Sequence, residues 1–214
     1  MVRGGALVTV GRQLGQGGQG VVVLANLGTR TLALKWFRPQ ALLVEWRRTI
    51  QRLVERSKPA HPAFVWPIDL VVSDETPGFG YLMPYVGPPF MPFAKMLRAE
   101  RQPDIRVLLT IARELVEAFE ALHSSGLCYR DISWGNLLVN PESAEVAIID
   151  NDNVAVDGDP GFVAGTLRFM APEIIREEAQ PSMVTDLHSL AVFLFWLLCH
   201  GHPLEGGRTD ASLT

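Results

Sequence analysis

The sequence contains little that would tie it to an oxidising compartment, a membrane or a nucleic acid. It has only two cysteines, Cys128 and Cys199, which cannot form a disulfide framework and which indicate a reducing compartment. Its longest apolar run, 190–199, is about half of the roughly 20 residues that a membrane span requires, and residues 1–13 lack the apolar core of a signal peptide. The formal net charge of −4 disfavours binding to nucleic acid, because phosphate backbones favour basic patches. These absences predict a cytoplasmic protein without a membrane span.

The chain is long enough for one domain or two small lobes, with 214 residues of which 48% are hydrophobic. Strand-like runs dominate the first third: 6–14, 21–27, 31–37, 64–72 and 80–86, interrupted by one predicted helix over 40–57. Beyond the Pro- and Gly-rich "VGPPFMP", residues 86–92, helices are predicted over 104–126 and 184–201. The expected class is α+β, with a β-rich N-lobe over 1–83, a hinge over 84–89 and a helical, partial C-lobe over 90–214.

Four glycines lie in "GQGGQG", residues 15–20, between two predicted strands, and three of them are candidates for a phosphate-binding loop. Gly15, Gly17 and Gly20 would let the backbone approach phosphate oxygens and turn its N–H groups toward them. The alternative is an ordinary glycine-rich hairpin. A strand rather than a helix follows, which disfavours a dinucleotide-binding βαβ unit.

Lys35 ends the apolar run "LALK", residues 32–35. A Lys at the end of a buried strand can reach a phosphate, although an edge Lys whose ammonium extends to solvent has the same sequence pattern.

Three further motifs follow in the second half: "YRDISWGN" at 129–136, "IIDND" at 148–152 and "GTLRFMAPE" at 165–173. Together with the glycine-rich loop and "LALK", in this order, they resemble the protein kinase family, and specifically a eukaryotic-like Ser/Thr kinase of bacterial type. The resemblance implies a bilobal fold and transfer of phosphate from ATP, with Mg²⁺, to a protein substrate. It also implies that the buried central helix of the C-lobe starts at Asp186. The Asp186 side chain would turn toward the catalytic loop, which is the segment "YRDISWGN".

The resemblance assigns specific roles to these residues. Asp131 would accept or orient the substrate hydroxyl, Lys35 would contact the phosphates, and Asn136 and Asp150 would hold Mg²⁺. The residues implied to bind ATP are Gly15, Gly17, Gly20, Val22, Ala33, Lys35, Glu45, Met83, Pro84, Val86 and Leu138. Thr166, Ala171, Pro172 and Glu173 would belong to the end of the activation segment.

A helix Glu is expected to pair with Lys35. Glu45 is the first choice because it lies on the first predicted helix, with apolar positions following at helical spacing. Glu55 is kept as the second choice because the gap from Lys35 to Glu45 is short for this family. Either residue could instead be a surface Glu.

The motifs depart from the family pattern at two places. Ser133 stands where a cation usually follows the catalytic Asp, which removes charge stabilisation near the γ-phosphate. Asn151 and Asp152 stand where the family has Phe and Gly. A buried Asn151 would need a hydrogen-bond partner. Asp152 is expected to face the same way as Asp150 on an extended segment, as a second metal ligand, or else to be a turn residue.

These departures leave two alternatives open: a pseudokinase that senses nucleotide without turnover, and a kinase of a small molecule. Residues 205–214 cannot supply the helices that usually follow the central helix, so we expect a regulatory partner or further C-terminal sequence.

The activation segment contains no Ser, Thr or Tyr between 153 and 165. Thr166 is expected to hydrogen-bond near Asp131. Arg130, which ordinarily pairs with a loop phosphate, would instead pair with Asp157 or Asp159 as a permanent negative charge, unless both are turn residues.

Overall fold

The computed structural model describes residues 5–39, 43–56, 58–59, 61–99, 103–159 and 165–206. Parts of three predicted segments lie outside these ranges: residues 40–42 and 57 of the predicted helix, 160–164 of the activation segment, and 207–214 at the C-terminal end. The chain divides into two units. The first comprises Met1–Lys58 and Val65–Gly87, and the second Pro59–Phe64 and Pro88–Thr214.

An antiparallel sheet dominates the first unit, as predicted. Its strands are β1 (Val8–Gln16), β2 (Gly20–Leu27), β3 (Arg30–Phe37), β4 (Asp69–Val71) and β5 (Phe79–Pro84). They form one five-stranded sheet in the order β1-β2-β3-β5-β4. The central strand β3 is buried over residues 32–35, which explains its nearly continuous apolar sequence.

The strand predicted over 64–72 is much shorter in the structure. Only β4 forms there, and Pro67 precedes it. Proline has no N–H to donate to a neighbouring strand, so the ladder begins after it.

Helix α1 (Leu43–Glu55) confirms the helix predicted over 40–57. Ile50 and Leu53 are buried, and the Trp46 ring lies 5.5 Å from that of Phe37 on β3. The spacing of these positions by three and four residues places them on one helix face. That face therefore covers the side of the sheet on which Phe37 lies.

The second unit is mainly helical. Its helices are α2 (Phe93–Leu97), α3 (Ile105–Ser124), α4 (Pro172–Ile175) and α5 (Met183–Cys199). Its short strands are β6 (Met91–Pro92), β7 (Leu127–Cys128), β8 (Leu137–Val139), β9 (Val146–Ile148) and β10 (Ala155–Val156). They form a sheet in the order β6-β8-β9 and a separate β10-β7 pair.

Helix α3 begins and ends where the sequence predicts. The Asp104 side chain accepts a hydrogen bond from Arg106 N at 2.8 Å, as an N-cap residue does. Gly126 follows the helix with φ of 72°, in the left-handed region that glycine adopts without strain. The buried face of the helix carries Leu108, Ile111, Leu115, Ala118, Phe119 and Leu122.

Helix α5 starts with a capping box, in which Ser182 and Thr185 each bond the other's backbone N–H. Its predicted burial is correct for Leu190, Phe193 and Leu197 but wrong for one stripe of its surface. The members of that stripe are Val184, Leu187, Ala191 and Phe195. Among the described residues, no helix combines the length and the apolar character that a membrane span needs.

Candidate active site

The turn between β1 and β2 leaves open space around most of its glycines. Gly17 N donates to Gly20 O at 3.0 Å and closes the turn. A Cβ added at Gly15, Gly17 or Gly18 would meet no heavy atom within 4 Å, so the fold itself does not require glycine at these positions. A ligand that approaches the backbone amides closely would require it.

Gly20 has a different reason to be glycine. A Cβ at this position would lie 2.0 Å from the carbonyl oxygen of Trp36 on β3. The close approach of two strands therefore excludes any side chain here. Its role in the structure is packing of the sheet, whereas the sequence grouped it with the phosphate-binding glycines.

The register of the sheet brings the predicted nucleotide-binding residues of β2, β3 and β5 to one face. Val22 pairs with Lys35, and Ala33 pairs with Met83. Directly paired residues in antiparallel strands, and residues two apart in one strand, point to the same side. Val22, Ala33, Lys35 and Met83 thus share one face.

Three other predicted nucleotide-binding residues lie at or beyond the end of β5 or in the second unit. Pro84 is the exposed last residue of β5, and Val86 is half-buried beyond it. Leu138, in the second unit, is half-buried on β8 and pairs with Ala147 and with Pro92.

Lys35 is 5% exposed and donates to the side-chain oxygen of Gln19, in the glycine-rich turn, at 3.3 Å. The predicted partner Glu45 has a buried oxygen, Oε2, with no hydrogen-bond partner. Glu55, the second choice, accepts from Gln51 at 3.1 Å on the exposed side of α1. The predicted Lys35–Glu45 pair is therefore not formed in this structure.

The catalytic loop lies between β7 and β8 and is fixed by Asp186 at the start of α5. The two carboxylate oxygens of Asp186 accept from Tyr129 N at 2.6 Å and from Arg130 N at 2.8 Å. This confirms the predicted orientation of Asp186. Arg130 has φ of 74°, a strained value for a residue with a side chain, and these two hydrogen bonds hold it there.

His123 on α3 provides a third contact to the same carboxylate. Its Nε2 lies 3.1 Å from Asp186 Oδ2. Sequence reasoning gives no indication of this contact, because nothing in the pattern of an amphipathic helix relates a single His to a partner 63 residues away. It belongs to the support of the catalytic loop.

The Asp131 carboxylate is held between two side chains. Its Oδ2 accepts from Asn136 Nδ2 at 2.9 Å, and its Oδ1 accepts from the Thr166 hydroxyl at 2.7 Å. The second bond confirms the role predicted for Thr166. Asn136 Nδ2 also donates to the Asp131 backbone oxygen at 2.8 Å. Both donors orient the carboxylate without burying it, since Asp131 is only half-buried.

The predicted metal ligands have donor groups that fit Mg²⁺. Asn136 uses its NH₂ group on Asp131, so its amide oxygen Oδ1 is left for a cation. Asp150 adds a carboxylate from a left-handed position with φ of 57°, and oxygen donors of these kinds suit Mg²⁺. Among the described residues, no group of three or more His, Cys, Asp or Glu side chains could hold a metal.

The segment after Asp150 is not extended, contrary to the prediction. Asn151–Asn153 form a 3₁₀ turn, in which residues two apart do not share a face. Asp152 is therefore a turn residue, the second of the two alternatives expected for it. Asn151 is fully buried, and its NH₂ group donates to Ile148 O at 3.0 Å, so the donor group of this buried amide has a partner.

Burial also governs two titratable groups of the loop. Desolvation, reinforced by the charge of Asp150, raises the pKa of Tyr129 well above its usual value, and its hydroxyl donates to Ile149 O. Desolvation raises the pKa of the Cys128 thiol to about 11. Both groups are therefore neutral at physiological pH and act as packing residues.

The partners of Arg130 differ from the predicted ones. Asp157 accepts from Met183 N at 2.7 Å, so its carboxylate caps the start of α5 instead of pairing with Arg130. The Arg130 guanidinium donates to the backbone carbonyl oxygen of Asp159 at 3.1 Å. The prediction of a permanent carboxylate partner is therefore wrong for Asp157, and the contact with Asp159 involves its main chain.

The predicted end of the activation segment forms helix α4. Ala171 is its buried N-cap residue, Pro172 is its first residue and Glu173 is half-buried. Proline is favoured at this position because the first N–H of a helix has no partner within it.

Gly165 lies where the activation segment passes close to the backbone of the catalytic loop. It has φ of 106°, and a Cβ here would lie 2.8 Å from Arg130 O. We expect Gly165→Ala to displace Thr166 from Asp131 and to reduce phosphate transfer by about tenfold or more, because a displacement of about 1 Å can cost 10²-fold. Gly158→Ala, also at positive φ but with no heavy atom within 4 Å, is the control for backbone strain. Equal activity of the two variants in a transfer assay would contradict this role.

The comparison with known proteins agrees with this geometry. The model of the protein kinase domain family matches residues 8–213. Serine/threonine-protein kinase PknD of Chlamydia felis is 29% identical over 234 residues, a match that covers 92% of this chain and 24% of that protein. The putative ribosomal protein S6 kinase alpha-1 of Caenorhabditis elegans is 28% identical over 212 residues, covering 94% of this chain and 26% of that protein.

This chain therefore spans about a quarter of the length of these two relatives. The order of the motifs, the support of the catalytic loop by Asp186 and the family match over nearly the whole sequence agree with one another. The chain belongs to the protein kinase domain family.

Proposed function

We propose that this chain is an ATP- and magnesium-dependent protein kinase that transfers phosphate to Ser or Thr hydroxyls. The observation that carries the proposal is the environment of Asp131. Thr166 and Asn136 fix its two carboxylate oxygens at hydrogen-bond distance, and the carboxylate stays half-buried beside the activation segment. A general base needs this combination of fixed direction and access to the substrate.

In the proposed reaction the hydroxyl oxygen of the substrate attacks the γ-phosphorus of ATP. The bond from that phosphorus to the β–γ bridging oxygen breaks, and ADP leaves. Asp131 orients the attacking hydroxyl and accepts its proton. Catalysis of this kind rests mainly on positioning and on electrostatic stabilisation, because the protein forms no covalent bond to the phosphoryl group.

The side chains of the two units divide the remaining tasks. Lys35 and the open glycines at 15, 17 and 18 are proposed to bind the phosphates, with Lys35 exchanging Gln19 for a phosphate oxygen. Asn136 and Asp150 are proposed to hold Mg²⁺, which would neutralise charge on the phosphates. Asp152 remains a candidate second ligand only if its turn changes conformation.

Ser133 would contribute no positive charge near the γ-phosphate. It is 7% exposed at the position where a cation would stabilise the transferring group. We expect turnover to be slower than in kinases with a Lys here. Retention of Lys35, Asp131, Asn136 and Asp150 favours catalysis over the pseudokinase. The motif "GTLRFMAPE", residues 165–173, disfavours the small-molecule kinase.

We further propose a cytoplasmic location and control by a regulatory partner or by further C-terminal sequence. Two free thiols, one of them exposed at Cys199, are consistent with a reducing compartment. The segment 153–159 contains no hydroxyl side chain, so a phosphorylation switch would have to lie elsewhere.

Titration calorimetry with magnesium and ATP tests the nucleotide half of the proposal. We expect binding by the wild-type chain and binding weaker by about tenfold or more for Lys35→Met, which removes the buried ammonium. Lys95→Met, at an exposed position of α2, is the matched control and should bind like the wild type. No heat of binding at millimolar ATP would overturn the proposed function.

A further inference from the structure

The exposed surface beside Asp131 carries one bidentate ion pair. Thr166 bonds Asp131, and the two residues that follow it, Leu167 and Arg168, are exposed. The guanidinium of Arg168 donates from Nε to Glu205 Oε1 at 2.9 Å and from Nη2 to Glu205 Oε2. This fork geometry matches a single carboxylate. A protein substrate whose hydroxyl reaches Asp131 must pass close to this pair.

Arg168 is held in place independently of Glu205. Its guanidinium lies over the Trp196 ring, 4.7 Å from the ring centroid. Trp196 in turn packs against Trp134 of the catalytic loop, with ring centroids 4.0 Å apart. The cation therefore has a rigid aromatic support that continues to the loop carrying Asp131, and replacement of Glu205 would leave the guanidinium plane oriented.

The segment that carries Glu205 is also anchored without its carboxylate. His202 Nδ1 accepts from Leu204 N at 3.1 Å, which leaves the proton on Nε2, and Nε2 donates to Arg168 O at 2.7 Å. The His202 ring also contacts the Trp196 ring at 5.3 Å. Removal of the Glu205 carboxylate would therefore remove its ion pair with Arg168 without releasing the segment.

The ion pair can be exchanged because the incoming group is chemically the same as the one it replaces. Arg168 is 46% exposed and Glu205 17% exposed, so solvent reaches the pair. A carboxylate from another molecule that reaches the same fork would make the same two hydrogen bonds as Glu205. Glu205 thus occupies the place of an acidic ligand next to the phosphate-accepting position.

We propose that Arg168 determines substrate specificity by binding an Asp or Glu side chain close to the target hydroxyl, and that Glu205 is the internal carboxylate that this side chain displaces. The inference rests on the proposed kinase function and names its substrate class as Ser or Thr in an acidic sequence. Leu167, which lies between Thr166 and Arg168 in the sequence, is exposed and would add an apolar contact to such a substrate.

The test measures kcat/KM for three synthetic Ser peptides that differ only in the flanking residues, which are Glu, Gln or Lys. We expect the wild-type chain to prefer the Glu peptide over the Gln peptide by about fivefold to tenfold. Arg168→Gln should abolish this preference while the Gln peptide remains a substrate. Arg168→Lys, which keeps the charge but loses the fork, should retain only part of it.

Glu205→Gln provides the opposite change. It should raise kcat/KM for the Glu peptide severalfold and leave the Gln peptide unaffected, because competition for Arg168 is removed. Glu178→Gln is the control, since it breaks an exposed pair with Arg176 elsewhere in the same unit. A wild-type chain that phosphorylates all three peptides equally, or a Glu205→Gln variant that loses activity on all of them, would overturn the inference. Failure of every peptide with the wild-type chain would instead contradict the proposed function.

Discussion

Asp131→Asn is expected to lower phosphate transfer by about 10²- to 10⁴-fold while ATP affinity stays close to that of the wild type. The carboxylate is the proposed acceptor of the substrate proton, and an amide cannot accept it. Asn can still accept one hydrogen bond from Thr166 or Asn136, so the loop should keep its position. Steady-state transfer assays and calorimetry on the same preparation separate the two effects.

Asp69→Asn is a suitable control for this substitution. Asp69 is a half-buried carboxylate on β4 whose side chain accepts from Leu70 N at 2.8 Å, and it lies outside the proposed machinery. It should transfer phosphate at the wild-type rate. If Asp131→Asn also kept wild-type turnover, the catalytic loop would have been assigned to the wrong residues.

Asp186→Asn is expected to destabilise the second unit and to reduce phosphate transfer at the same time. Asp186 is 1% exposed and accepts from two backbone N–H groups of the catalytic loop. The substitution turns one accepting oxygen into an NH₂ group that faces a buried donor. Loss of a buried hydrogen bond to a charged group costs about 2–3 kcal/mol. Urea unfolding of the variant should show a lower midpoint.

Asp104→Asn makes the same chemical change where it should have little effect. Asp104 caps α3 at the surface through one bond to Arg106 N, and Asn is as good an N-cap residue as Asp. Its unfolding midpoint should stay at the wild-type value. A variant at Asp186 as stable as the one at Asp104 would contradict the assignment of Asp186 as the support of the catalytic loop.

The parts of the fold that depend on local pattern could be predicted from the sequence. The runs 21–27 and 31–37 were predicted as strands and form β2 and β3, and a period of two places Ala33 and Lys35 on the same face of β3. The N-cap at Asp104 and the apolar spacing of α3 gave the bounds of that helix to within a residue or two.

The contacts that the sequence did not predict join residues far apart in the chain. His123 and Asp186 are separated by 63 residues, and Arg168 and Glu205 by 37, so no local pattern relates them. Gln19 is 16 residues from Lys35, and its contact with Lys35 could not be predicted because the position of a loop tip depends on the packed structure around it.

Backbone conformation explains why residues 150–152 are not extended, as one of the alternatives for Asp152 required. The extended form expected for 150–152 assumed ordinary backbone angles, whereas Asp150 has the left-handed φ of 57° and starts a 3₁₀ turn. A residue other than glycine adopts this region only where its surroundings hold it there, which sequence alone does not report.

The most direct test of the central claim is transfer of labelled γ-phosphate from ATP, with magnesium present, to the chain itself and to a generic protein substrate, followed by identification of the modified residues. The account predicts label on Ser or Thr for the wild-type chain, no label without magnesium, and none above background for Asp131→Asn. Unlabelled protein from a preparation that binds magnesium and ATP, or equal labelling by Asp131→Asn, would contradict it.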